Sequence, residues 1–190
     1  MTNNPMPLSP PSHQSGAALI TGLIFLVVLT MIGITAARMS TLEERMSGNM
    51  RDRSIAMQSA ERALRDAEQD ISGPAAGSTR NPAISGISDF VAACTAGLCY
   101  NGANGNANGV DWNVTPVWTL VSMTAAPSIA YGVNTPAADI AGLSAQPRYI
   151  IEGIRRMPPG GGEVFYYRIT VRAQGVNPNT VVWLQEVFRP

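Results

Sequence analysis

Lysine is absent from this chain, and all 13 basic residues are arginine. The 13 acidic residues cancel them, so the formal net charge is zero and nothing electrostatic favours nucleic acid or an acidic substrate as a partner. Histidine occurs once, at His13. No Ser/His/Asp or Cys/His arrangement is therefore available beyond that point, and neither catalysis nor a cofactor is expected. Charged residues amount to only 14 %, and half of them fall between Arg38 and Asp70. The remainder, rich in Gly, Ala, Asn, Ser, Thr and Val, has the composition of an exported domain rather than a cytosolic enzyme.

Only two cysteines are present, in Cys94-Thr95-Ala96-Gly97-Leu98-Cys99. In an exported domain a short disulfide loop is the natural reading. A metal pair is its rival, although no His or further Cys lies near and structural metal sites use four ligands. Two unpaired thiols are the third reading.

What the sequence does have is one long apolar run. From Ala17 to Ala37 no residue is ionisable, and Arg38 ends the run. At 1.5 Å per residue these 21 positions form a helix of about 32 Å, enough to cross a hydrocarbon core of about 30 Å. Helix is the conformation that satisfies every backbone polar group of such a segment in lipid. Ahead of it, residues 1–16 hold four prolines and read as a flexible leader. Three fates are open to this end: signal peptidase cleavage near Thr35-Ala36-Ala37, no cleavage at all, or cleavage after Gly16. The run is too long for a signal peptide and continues into further helix, which favours cleavage after Gly16. His13 stands where a basic stretch would normally fix the orientation.

The helical pattern runs on to Ser72-Gly73-Pro74. Met39, Leu42 and Met46 come first, then Ala56, Met57, Ala60, Ala63, Leu64, Ala67 and Ile71 at steps that fit a 3.6-residue period. The second group predicts a helix packed under a sheet, with Glu61–Arg65 and Arg62–Asp66 as surface pairs. Residues 38–53 have too few apolar positions for a core and are expected to meet water or neighbouring subunits. Gly48 costs about 1 kcal/mol inside a helix and is the expected place for a bend.

After Pro74 the chain turns loop-rich. A weak helix is predicted from Ser88 through Phe90 to Cys94, followed by a loop over Asn101–Gly109. Asp111 and the nearby asparagines lack the spacing of a calcium loop, so no metal is expected. Trp112, Val114, Val117, Trp118 and Leu120 read as core or cover residues. Three strands are predicted at Arg148–Ile154, Glu163–Ala173 and Thr180–Phe188, joined by Pro158–Gly162 and Asn177–Asn179. Phe165, Tyr167, Ile169 and Val171 share one face, and Arg168, Thr170 and Arg172 the other. This predicts an antiparallel meander with an apolar face for the helix to cover and a polar face toward water.

Several segments together carry a family resemblance. They are Gly16 followed by Ala-Ala-Leu-Ile, then Leu29-Thr30, then the block Thr41-Leu42-Glu43-Glu44-Arg45-Met46-Ser47-Gly48-Asn49-Met50-Arg51-Asp52-Arg53, then Ala60 to Glu68. Over about residues 14–70 they resemble the N-terminal region of the PilX minor pilins of type IV pili. The strands Tyr167–Gly175 and Thr180–Gln185 are similar to PilX-type proteins as well. The resemblance implies an α+β pilin-like fold, with a long N-terminal helix, transmembrane in its first half, packed on a C-terminal antiparallel sheet. It divides the chain into a leader (1–16), a membrane or filament-core helix (17–37), its amphipathic continuation (38–72), a connecting region (73–145) and the sheet (146–190).

It further implies cleavage after Gly16 by the prepilin peptidase, N-methylation of Ala17, and residence in the inner membrane before assembly into a filament. The implied partners are other minor pilins, the major pilin and a tip adhesin. The implied role is in priming pilus assembly, with adhesion and twitching motility as outcomes. Thr21 would occupy the fifth mature position, where most pilins have glutamate. A carboxylate in lipid needs a partner charge, thought to be the N-terminal amine of the subunit above. A subunit with nothing above it gains by losing the carboxylate, since a threonine hydroxyl can bond back to its own helix. Thr21 thus points to a position at or near the tip. The alternatives are a tip pseudopilin of type II secretion, which also lacks the glutamate, and a membrane-anchored periplasmic binding protein.

Overall fold

A computed structural model describes residues 15–73, 79–80, 83–91, 93–100 and 117–190. The predicted Asn101–Gly109 loop, Asp111, Trp112, Val114 and the leader up to Gln14 lie outside them. The elements are helix α1 (Ser15–Ser72) and strands β1 (Leu98–Cys99), β2 (Ile129–Ala130), β3 (Arg148–Arg156), β4 (Val164–Gln174) and β5 (Val181–Phe188). Two short 3-10 turns add Thr95–Gly97 and Val117–Thr119. The chain forms two compact units, residues 1–48 and 49–190.

In the first unit the described residues are helical throughout, and their side chains from Gly16 onward are exposed. The apolar run is long and hydrophobic enough to cross a membrane. Gly48 stays within α1, although the division between the units falls directly after it.

In the second unit the end of α1 covers one face of the sheet. Ala56, Ala60, Ala63, Ala67 and Ile71 are fully buried there. Four alanines in a row of five let the helix backbone approach closely, and the bulk comes from the sheet: Tyr149, Ile151, Tyr167, Ile169 and Val171. Asp66 departs from the predicted surface pair with Arg62. It lies on the inward side of the helix, because residues 132–135 supply it with hydrogen-bond donors. Gly73, at φ 105°, takes the left-handed conformation that ends the helix.

The sheet has five strands in the order β1-β3-β4-β5, with β2 also pairing β3. The three long strands follow the predicted meander, with Glu152 opposite Arg168 and Val171 opposite Leu184. The sheet is mixed rather than wholly antiparallel, because β1 runs parallel to β3. Both short strands come from the predicted connecting region. Two residues of extended chain carry no periodicity, so only the pairing with β3 defines them.

The second face of the sheet is not the predicted polar surface. Ile150, Glu152, Ile154, Arg168 and Thr170 are buried on it. Val117 and Met123 cover it together with Cys94 and Cys99, and Trp118 packs against Trp183 with ring centroids 5.3 Å apart. Leu120, predicted to be cover, is exposed instead.

No helix forms in the described residues between Ser88 and Cys94. Val91 bridges to Cys99, and Phe90 lies over Gly153 and stacks on Tyr167 at 5.7 Å. A side chain at residue 153 would occupy the space of that ring, so glycine is what admits it.

Candidate functional site

Gly16 and Ala17 stand in the first turns of α1, both exposed. One turn on, the Thr21 hydroxyl lies 3.0 Å from the carbonyl oxygens of both Ala17 and Ala18 and donates to that pair. The residue is thus satisfied within its own helix and brings no charge to an apolar segment. Thr30, Thr35 and Thr41 bond back in the same way, to Val27, Met31 and Arg38. Back-bonding is therefore general in this helix. What distinguishes Thr21 is its place five residues after Gly16.

Cys94 and Cys99 are joined by a disulfide, with Cα atoms 4.1 Å apart, and both are fully buried. The link closes the turn that carries β1 and sets it against β3. It lies in the second unit and is a brace for the sheet edge.

Sequence reasoning passed over three polar attachments of α1. Near Gly48, Asp52 reaches the β4–β5 turn, where its carboxylate accepts from the amides of Val176 at 2.6 Å and Asn177 at 3.3 Å. A hydrogen bond from the Thr180 side chain is the largest influence holding its pKa below the usual carboxylate value. This corrects the expectation that residues 38–53 meet only water or other subunits.

Further along, Asp66 and Asp70 are both buried. Asp66 accepts from the Gly132 amide at 3.0 Å and from the Thr135 hydroxyl. Asp70 is ion-paired to Arg80 at 2.5 Å and also accepts from Asn134 and from the Tyr149 hydroxyl. Burial, and then the nearby Asp70 and Asp66 charges, push Tyr149 ionisation far upward, so the phenol remains a donor. The i,i+4 spacing of two carboxylates on an otherwise alanine-lined face is the signal that was available.

The third attachment pairs like with like. Glu186 on β5 faces the helix, as its register opposite buried Ile169 requires, and meets Glu68. Desolvation, then the hydrogen bond and charge of Glu68, raise its pKa to about 7. Among the described residues no cluster of His, Cys, Asp and Glu is arranged to hold a metal ion.

Within the second unit, then, the end of α1 is tied to a small sheet domain by polar side chains, and in the first unit the apolar side chains of α1 are exposed. The family model described as PilX N-terminal matches residues 15–65, and that of the type IV pilus assembly protein PilX C-terminal region matches residues 95–190. The chain belongs to the PilX family. Among curated proteins and among solved structures no further match is found. A PilX protein is a type IV pilus minor pilin, a structural component that interacts with other pilus components. In this PilX chain the helix from residue 17 to 37 has the length and composition of a single-pass anchor, followed by the sheet domain.

Proposed function

We propose that this PilX chain primes type IV pilus assembly and sits at or near the pilus tip. The prepilin peptidase cuts after Gly16, the new N-terminal Ala17 is methylated, and the helix holds the subunit in the inner membrane with its sheet domain in the periplasm. Extraction then carries the apolar helix into the filament and the domain to the cell exterior. Other minor pilins, the major pilin and a tip adhesin are its partners, and twitching and adhesion depend on it.

The observation that carries this reading is Thr21. Five residues after Gly16 an apolar helix has an internally bonded hydroxyl, with no carboxylate to meet the amine of a subunit above. A subunit built this way is compatible with the top of a filament.

Mass spectrometry of the mature N-terminus tests the processing, and a methylated Ala17 is the expected result. An intact Met1 or a start at Arg38 defeats it. Immunogold labelling of purified pili tests the position. Label confined to filament ends is expected, and label along the whole shaft overturns the tip assignment. Deleting the gene should remove surface pili and twitching. Loss of protein secretion with normal pili would identify a pseudopilin instead.

A further inference from the structure

Beyond Ala37, α1 carries a second apolar feature that crossing a membrane does not explain. Met39, Leu42 and Met46 follow at steps of three and four, so they share one helix face within an arc of about 60°. They are 59 %, 64 % and 62 % exposed. Residues 17–37 already fill about 30 Å of hydrocarbon. Arg38 ends that run, and Glu43 and Arg45 lie among the three apolar side chains, where hydrocarbon would be costly. The face therefore stands outside the lipid interior and presents three large apolar side chains to water.

Its two borders carry opposite charge. At 3.6 residues per turn, Glu43 lies about 65° to one side of the centre of the face, while Arg38 and Arg45 lie about 75° and 95° to the other. When two parallel helices meet along such a seam, the left border of one faces the right border of the other. Parallel copies therefore set acid against base on both sides. Antiparallel copies set like against like. Two chains anchored in one membrane with the same orientation are necessarily parallel, so the pattern is complementary to itself in the one arrangement available.

We infer that Met39, Leu42 and Met46 form a seam at which two membrane-anchored copies of this chain pair in parallel, with Glu43 of each facing Arg38 of the other. The inference rests on residues 17–37 being a membrane anchor, and it is independent of the tip position.

The test is oxidative cross-linking of the full-length chain in native membranes. Met39→Cys and Met46→Cys should give disulfide-linked homodimers, and Thr41→Cys and Glu44→Cys, on the opposite face, should not. In the Met46→Cys background, Glu43→Arg or Arg38→Glu alone should lower dimer yield about fivefold, as two attractive pairs become repulsive, and the double exchange should restore it. Equal cross-linking from both faces, adducts formed only with a different protein, or failure of the double exchange to restore the dimer overturns the inference. Release of the chain by alkaline extraction overturns the anchor reading, and the seam with it. Tip-confined label without homodimers sinks the seam alone.

Discussion

Glu152 and Arg168 stand directly opposite one another on β3 and β4 and form a two-point ion pair at 2.8 and 2.7 Å, with the Glu152 side chain fully buried. The free Glu152 lone pairs also receive the Val117 amide at 3.3 Å. This pair therefore ties the segment covering the second face to the sheet beneath it.

Removing one partner leaves a buried charge uncompensated. Arg168→Met should destabilise the domain by about 3–5 kcal/mol. Glu152→Leu combined with Arg168→Met should recover part of that loss, because no charge then remains to be desolvated. Urea unfolding of the detergent-solubilised chain, followed by tryptophan fluorescence, measures both. A double variant as unstable as the single one would contradict this account.

The alanine row of α1 is set by close approach rather than by helix propensity. Ala63→Leu should lower stability by about 1–3 kcal/mol through overpacking, although leucine is a good helix former. The same change at Glu61, which is exposed, should leave the urea midpoint nearly unchanged. Equal effects at the two positions would mean that the helix does not pack as closely as described.

The Glu68–Glu186 contact makes stability fall as pH rises. Glu186 has a folded pKa raised from 4.5 to about 7, so the folded state holds its proton more tightly than the unfolded one. Its favourable contribution is complete below about pH 4.5 and is lost as pH rises through 7. Glu186→Gln should remove that slope, with a gain at pH 8 of about 1 kcal/mol at most, since the group is half-exposed and screened by water. Thermal melts at pH 5 and pH 8 for both chains provide the comparison. An unchanged pH slope in the variant would show that the pair is not its source.

Asp52 has the opposite sign. Its pKa is lowered in the folded state by the Thr180 side chain and the turn amides, so its contribution is present above the unfolded value and fades as pH falls through the folded one. Asp52→Ala and Gly175→Ala should disturb the same contact, because an alanine side chain at residue 175 would collide with the Asp52 carboxylate. Their effects should be clearly non-additive. Additive losses would separate the two residues.

Some of this was legible in the residue order. Twenty-one positions without an ionisable group, and the step pattern Ala56, Ala60, Ala63, Ala67, Ile71, are one-dimensional signals, because a helix repeats every 3.6 residues wherever it is. The alternation Tyr167, Ile169, Val171 identifies β4 for the same reason. The apolar helix, its covering face and the three long strands follow from such periodicity alone.

The rest was decided by contacts between residues far apart in the chain. Arg168 and Thr170 read as solvent-facing because they are polar, yet they are buried under residues 117–123, and no local pattern says that a loop will cross that face. Asp66 looked like half of a surface pair with Arg62, until residues 132–135 brought donors to it. Strand β1 exists only because β3 offers an edge and the Cys94–Cys99 link holds it there. The residue order thus determined the long helix, the three long strands and which end is apolar. Tertiary structure decided which polar groups are buried, since burial of a charge depends on the partner that meets it.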